Sequence, residues 1–111
     1  MQFLSLEREE QLEEISEAQK PQVILKHNTT CPISKGVLRS LKEESNLLAD
    51  TPFYILDILT YRNISDTIEK KFSVPHESPQ LLVIKNGECT YNQSLNNITP
   101  EETVQAIHEN E

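Results

Sequence analysis

The stretch Val23–Lys35 constrains the fold most, because it places a cysteine between a strand and a helix. Its apolar, largely β-branched start, Val23–Leu25, predicts a buried strand. Beyond a polar turn, apolar residues recur at helical spacing at Ile33, Val37, Leu38 and Leu41. Pro32 suits the first helical position, because its missing N–H would have no partner there. The pattern predicts Cys31 at a helix N-terminus, where free N–H groups and the helix dipole stabilise a thiolate.

Further apolar runs, separated by turn residues, predict the rest of the fold. Strands are expected at 23–25, 53–59, 80–85 and 88–93, and helices at 4–18, from 32 to 44 or 49, at 61–72 and at 99–108. A strand–helix–strand crossover gives a parallel pair, and the Asn86-Gly87 turn gives an antiparallel hairpin. The sequence therefore predicts an α/β fold with a mixed four-stranded sheet flanked by helices.

With 111 residues, the chain has room for one compact domain spanning 1–111. Residues 1–20 are predicted to form an extra N-terminal helical extension, and 22–111 the core. The apolar stripe of the first helix is thin, so this helix is expected on the domain surface. Its apolar contacts would come from Leu4, Leu12, Ile15 and Leu6, with Ser5 as its cap.

Charge and hydropathy narrow the class of function. The net charge of −8 disfavours nonspecific binding to nucleic acid or to an anionic membrane. No run approaches the roughly 18 apolar residues of a membrane span. The acidic start lacks the features of a signal peptide, which favours a cytoplasmic protein. Locally, Lys26, Lys35 and Arg39 lie near Cys31 in the sequence, so the thiol is expected in a more basic neighbourhood.

The two cysteines, Cys31 and Cys89, lie far apart in the sequence. A structural disulfide is not expected in a cytosolic chain, and no Cys/His cluster supports a metal site. Cys89 follows the hairpin at the far end of the 80–85 strand from Pro79. Five strand residues extend about 16 Å, whereas a disulfide needs Cα atoms within about 7 Å. Cys89 is therefore not expected to resolve a disulfide at Cys31.

Two separated motifs resemble known proteins. The element order, the cysteine at the first core helix and Ser78-Pro79 before a strand resemble the thioredoxin fold, in which this proline is cis and lies beside the active cysteine. More closely, Lys26–Ser34, KHNTTCPIS, resembles the TCPIS active site of the monothiol bacilliredoxin family. His76–Gln80, HESPQ, resembles that family's cis-proline segment. The resemblance runs from Gln22 to the C-terminus.

The resemblance implies a thiol-disulfide oxidoreductase of the bacterial cytosol. Such proteins are implied to remove bacillithiol from mixed disulfides on client proteins. Bacillithiol would then be the low-molecular-weight thiol co-substrate, with no tightly bound cofactor. Cys31 would be the nucleophile, since thiolate attacks disulfide sulfur. The expected partners are bacillithiolated client proteins and bacillithiol, and the chain is expected to be a monomer.

Residues around Cys31 are assigned roles on the same basis. Thr30, Pro32 and Ser34 would support the active site, and Ser78, Pro79, Thr29 and Lys35 would bind substrate. Ser34 stands where dithiol relatives have a second cysteine, and its hydroxyl can hydrogen-bond the thiolate. Plainer interpretations remain open: a first-turn serine, turn threonines and a solvated lysine. His27 is assigned a structural or solvent-facing role, whereas His76 lies nearer the proposed groove.

Two other functions compete with the oxidoreductase. A non-catalytic thioredoxin-like module could bind an extended peptide as an adaptor. Single-cysteine glutaredoxins hold an iron–sulfur cluster, but their CGFS signature is absent, because Pro32 and Ile33 replace Gly-Phe. Thiol reactivity would separate the oxidoreductase from the adaptor, and visible absorbance after anaerobic reconstitution would reveal a cluster.

Overall fold

The computed structural model describes residues 3–48 and 50–111. Strands are β1 Phe3–Ser5, β2 Gln22–His27, β3 Phe53–Asp57, β4 Gln80–Lys85 and β5 Glu88–Ser94. Helices are α1 Glu9–Glu17, α2 Pro32–Glu43, α3 Arg62–Phe72 and α4 Pro100–Glu109, with 3₁₀ turns at Ser45–Leu48 and Leu95–Asn97. The alternative end of α2 at Ala49, like the first two residues of the acidic start, lies outside the described residues.

The five strands form one mixed sheet in the order β1-β3-β2-β4-β5. β3 runs parallel to β1 and β2, while β4 runs antiparallel to β2 and β5. The predicted crossover pair and hairpin are therefore confirmed, but the prediction of four strands is wrong. The fifth strand, β1, has only three residues, which is too short for a pattern of alternation to reveal. Its Phe3 ring packs against Phe53, with ring centroids 4.9 Å apart.

The N-terminal helix begins at Glu9 rather than near residue 4. Its start is closed by Gln11, whose side-chain oxygen accepts hydrogen bonds from the N–H groups of Glu7 and Arg8 at 2.7 and 2.9 Å. The predicted cap is wrong, because the Ser5 hydroxyl instead donates to the Glu7 carboxylate at 3.0 Å. Gln11, the third residue of α1, thus makes the capping hydrogen bonds that were expected of a serine before the helix.

Helices cover both faces of the sheet. One apolar layer lies between the sheet and α1 and α3, and it contains Leu6, Leu12, Ile15, Ile24, Leu56, Ile58, Ile64, Ile68, Phe72, Val74, Leu82 and Ile84. The other lies under α2 and α4, and it contains Val23, Leu25, Val37, Leu41, Leu48, Phe53, Leu81, Val83, Ile98, Ala106 and Ile107. The first layer includes three N-terminal residues with at most 1% exposure, so α1 contributes more to the core than its thin stripe indicates.

Two turns fix the strand ends that matter for the site. Asn86 and Gly87 have φ values of 53° and 79°, the left-handed conformation that a two-residue hairpin turn requires. At the other end of β4, Gln80 pairs with Lys26 of β2. The segment before β4 therefore meets the end of β2, where the cysteine-bearing loop begins.

We predict that Leu6→Ala lowers the free energy of unfolding by about 2–5 kcal/mol, because it removes a fully buried side chain from the α1–α3 layer. Urea denaturation checks this value. Leu47→Ala, at a leucine that is 41% exposed, is the control and should cost much less. Equal stability of Leu6→Ala and the unsubstituted protein would show that the N-terminal segment does not stabilise the core.

Candidate functional site

Cys31 caps the N-terminus of α2, as predicted. Its φ and ψ of −99° and 120° are extended, and Pro32 takes the first helical turn. Its backbone N–H donates to the Asn28 carbonyl at 3.2 Å, and its carbonyl accepts from the Lys35 N–H at 3.0 Å. The thiol is free and partly exposed. The loop and the helix thus both fix the cysteine backbone, and the residue stays partly exposed.

The Ser78-Pro79 peptide bond is cis. Because Lys26 and Gln80 are paired, extending the register by one residue brings Pro79 beside His27, at the end of the sheet where the Cys31 loop starts. The Pro79 carbonyl accepts a hydrogen bond from the Leu95 N–H at 3.0 Å. The Ser78 hydroxyl oxygen is buried and has no hydrogen-bond partner among the described residues. The structure therefore brings the two sequence motifs to one end of the sheet.

Ser34 ties the start of α2 to the end of β2. Its side chain is fully buried. Its oxygen accepts a hydrogen bond from the Asn28 N–H at 2.9 Å and lies 2.7 Å from His27 Nδ1. A hydrogen bond from this hydroxyl to the thiolate was one expectation, whereas the structure pairs the hydroxyl with the segment that precedes Cys31. Ser34 therefore holds the cysteine loop in place.

His27 occupies the buried end of β2. Burial lowers its pKa, Lys42 and Lys35 lower it further, and Asp57 opposes them. The ring is therefore neutral near pH 7, and its Nδ1 can accept a hydrogen bond from the Ser34 hydroxyl. This arrangement agrees with the structural role that the sequence analysis preferred.

Lys26 is fully buried on the α3 side of the sheet. Its ammonium lies 3.1 Å from His76 Nδ1 and 3.4 Å from the Ser65 carbonyl. Burial lowers the pKa of Lys26, while Asp66 and Glu69 act in the opposite direction. The expectation that Lys26 adds positive charge around the thiol is therefore wrong, because its side chain points into the protein. A strand-end lysine in an otherwise apolar run was the available signal.

The segment before the cis proline is held by this lysine and by two side chains near it. The His76 N–H donates to the Glu69 carboxylate at 3.0 Å. The Gln80 amide donates to the Pro75 carbonyl at 3.0 Å. Gln80, the last residue of the HESPQ motif, had no role predicted from the sequence; it lies at the start of β4 and is only 2% exposed. These contacts fix the backbone that leads into Ser78.

Three other predicted site residues lie in the Cys31 loop and in the first turn of α2. Thr29, Thr30 and Lys35 are exposed. Both the N–H and the hydroxyl of Thr30 donate to the Asn28 side-chain oxygen, at 2.9 and 2.8 Å, so Thr30 shapes the loop.

Cys89 lies at the opposite end of the sheet. It pairs with Ile84, which in turn pairs with Gln22 at the start of β2. The five residues from there to His27 span about 16 Å. Burial raises the pKa of the Cys89 thiol. This position and protonation agree with the expectation that it does not resolve a disulfide at Cys31.

Residues 3–48 and 50–111 contain no group of three or more His, Cys, Asp or Glu side chains placed to hold a metal ion. No helix within these ranges has the length and hydropathy needed to cross a membrane.

Comparisons with known proteins agree with this geometry. A family model described as monothiol bacilliredoxin BrxC matches residues 4–103. A solved structure described as a candidate oxidoreductase with a thioredoxin fold is 34% identical, with a TM-score of 0.84 over 94% of this chain and 92% of that one.

Two thioredoxins are more distant. The Malassezia sympodialis thioredoxin is 17% identical, with a TM-score of 0.79, and 98% of this chain and 90% of that one are covered. The Trypanosoma brucei brucei thioredoxin is 14% identical, with a TM-score of 0.80, and 97% and 89% are covered. These likenesses confirm the thioredoxin-like fold. The family match and the 34% identical oxidoreductase support a thiol redox function.

We predict that Ser34→Ala lowers the free energy of unfolding by about 1–3 kcal/mol, because it leaves the part-buried Asn28 N–H and the buried His27 Nδ1 without this partner. Urea denaturation measures the change. Ser40→Ala on the same helix, at a partly buried serine, is the matched control and should change stability by less than about 0.5 kcal/mol. Similar losses for both variants would contradict the role of Ser34.

We also predict that stability falls as the pH drops below 6.5, the ordinary histidine pKa. The pKa values of His27 and His76 are lowered in the folded protein, chiefly by burial. On acidification the unfolded chain therefore binds protons first, which favours unfolding. This loss of stability is absent at a pH well above 6.5, and it grows as the pH falls toward the lowered pKa values of the folded protein.

Ring resonances followed by NMR should give midpoints below 6.5 for both histidines, and urea denaturation at about pH 7.5 and 5.5 should show the loss of stability. The variant His27→Gln should reduce the pH dependence. Midpoints above 6.5 would reverse the sign of the linkage and contradict the burial argument.

Proposed function

The chain belongs to the monothiol bacilliredoxin BrxC family, and from this premise we propose that it removes bacillithiol from mixed disulfides on client proteins. Cys31 is the proposed nucleophile. The single observation that carries the proposal is its free, partly exposed thiol at the start of α2. Ser34 supports the monothiol route, because its hydroxyl stands where a dithiol relative has a second cysteine and cannot form a disulfide.

The proposed reaction is two thiol–disulfide exchanges. In the first, the Cys31 thiolate attacks the bacillithiol sulfur of the mixed disulfide. A Cys31–bacillithiol bond forms, the bond to the client breaks, and the client leaves as a thiolate that takes up a proton. In the second, the thiolate of another bacillithiol attacks the adduct. Cys31 is released reduced, and bacillithiol disulfide carries away the oxidising equivalents.

Substrate binding is proposed for the loops beside the thiol. The Ser78 backbone before Pro79 would pair with an extended client segment, as edge strands pair with peptides. Thr29 and Lys35 are exposed and would contact the same substrate, while Thr30 and Pro32 hold the shape of the loop. We place this reaction in the cytoplasm and assign it to a monomeric single domain, 1–111, with bacillithiol as co-substrate.

The test is mass spectrometry after the reduced protein is mixed with a bacillithiolated client. We expect one bacillithiol mass on Cys31 and a freed client thiol. Cys31→Ala should leave the client modified, because the attacking sulfur is gone. Cys89→Ala is the matched control and should retain transfer, since that cysteine lies at the opposite end of the sheet.

Two outcomes would contradict the proposal. If the client keeps its adduct while Cys31 stays reduced, the protein does not perform the exchange, and a peptide-binding adaptor becomes the better explanation. If Cys31→Ala still frees the client, another group is the nucleophile.

A further inference from the structure

A groove runs along α2, and its first lining residue on that helix, Lys35, lies four residues after Cys31. The groove has a volume of about 470 Å³ and is lined by His27, Lys35, Leu38, Arg39, Lys42 and Glu43. We propose that this groove binds the carboxylates of the low-molecular-weight thiol that reacts at Cys31. The inference rests on the proposed function and assigns a binding surface for its small substrate.

The cationic residues of the groove follow Cys31 at helical spacing. Lys35, Arg39 and Lys42 are four and then three residues apart, so all three lie along one side of α2. Cys31, at the N-cap, precedes Lys35 by four residues. At about 1.5 Å per residue, Arg39 lies about 12 Å along the axis from Cys31. A small thiol whose sulfur reaches Cys31 can therefore extend its carboxylates along these cations.

The charge of the groove is opposite to that of the chain. Three cationic side chains and one carboxylate, Glu43, line it, whereas the whole chain carries −8. Within the ranges described, the ion pairs join Lys71 to Glu13 and His108 to Glu111, so neither neutralises a groove cation. Lys42 lies over the Phe3 ring at 5.7 Å from its centroid, which positions the ammonium without removing its charge. An anion is the ligand that this surface favours.

The floor of the groove is polar and fixed. His27 is 7% exposed, and its Nδ1 is engaged by Ser34. Nε2 is therefore the ring nitrogen left to face a ligand. Leu38 adds an apolar wall that is partly buried. A carboxylate-bearing molecule with an uncharged middle portion matches this arrangement of cations, ring and aliphatic surface.

The experiment compares two disulfides that react with the same sulfur. Stopped-flow kinetics gives second-order rate constants for Cys31 with bacillithiol disulfide, which is anionic, and with bis(2-hydroxyethyl) disulfide, which is neutral. In each reaction the Cys31 thiolate forms a mixed disulfide and one thiolate leaves. The ratio of the two constants reports recognition of the anion, because changes in the reactivity of the thiol affect both.

We expect Arg39→Gln to lower this ratio about threefold to fivefold, and the double variant Lys35→Gln/Arg39→Gln to lower it about tenfold. Glu43→Gln should raise the ratio about twofold, a gain that loss of folding cannot produce. Lys70→Gln, at an exposed lysine of α3 outside the groove, is the control and should leave the ratio unchanged. Added salt should lower the ratio of the unsubstituted protein.

The outcomes separate the two proposals. If the unsubstituted protein reacts with neither disulfide, the proposed function fails. If it reacts with both and the groove variants keep its ratio, the exchange stands and the groove assignment is wrong. If Lys70→Gln lowers the ratio as much as Arg39→Gln, the effect comes from overall charge, which also overturns the groove.

Discussion

The site depends on the last two residues of β2, which carry polar side chains directly after the apolar run Val23–Leu25. Successive strand residues point to opposite faces of a sheet. Lys26 therefore reaches the α3 side and contacts His76, whereas His27 reaches the α2 side and contacts Ser34. One side chain holds the segment that leads to the cis proline, and the other holds the loop that carries Cys31. The strand end thus fixes both walls of the site from a single stretch of backbone.

Burying these polar groups has an energetic cost. An unpaired polar group inside a protein costs about 1–3 kcal/mol, so each must find a partner to be tolerated. Lys26 meets this requirement with a ring nitrogen and a carbonyl, without a carboxylate in direct contact. Ser34 meets it with a backbone N–H and a ring nitrogen. Apolar residues would pack at these positions without needing such partners. The presence of Lys26 and Ser34 there therefore points to precise placement of the neighbouring loops.

Local patterns predicted most of the fold, because each core strand and helix has its own apolar period and its own turn residues. Pro32 placed the start of α2, and Asn86-Gly87 placed the hairpin. The three-residue strand β1 could not be predicted, since its strand identity comes from pairing with Phe53 and its neighbours. The hydrogen-bond partners of Lys26 and Ser34 could not be predicted for the same reason. Their partners, His76 and His27, are chosen by the tertiary fold.

The charge around the site is positive, although the net charge of the chain is negative. A chain at −8 repels anions at long range, and at an ionic strength near that of cells this field decays within about 8 Å. Inside that distance the cations along α2 dominate, and the acidic residues of α1 and α4 lie on other helices. An anionic small thiol would therefore meet a favourable field only after it reaches the groove along α2. Such an arrangement discriminates among thiols by their charge at short range, while the acidic remainder of the surface disfavours polyanions.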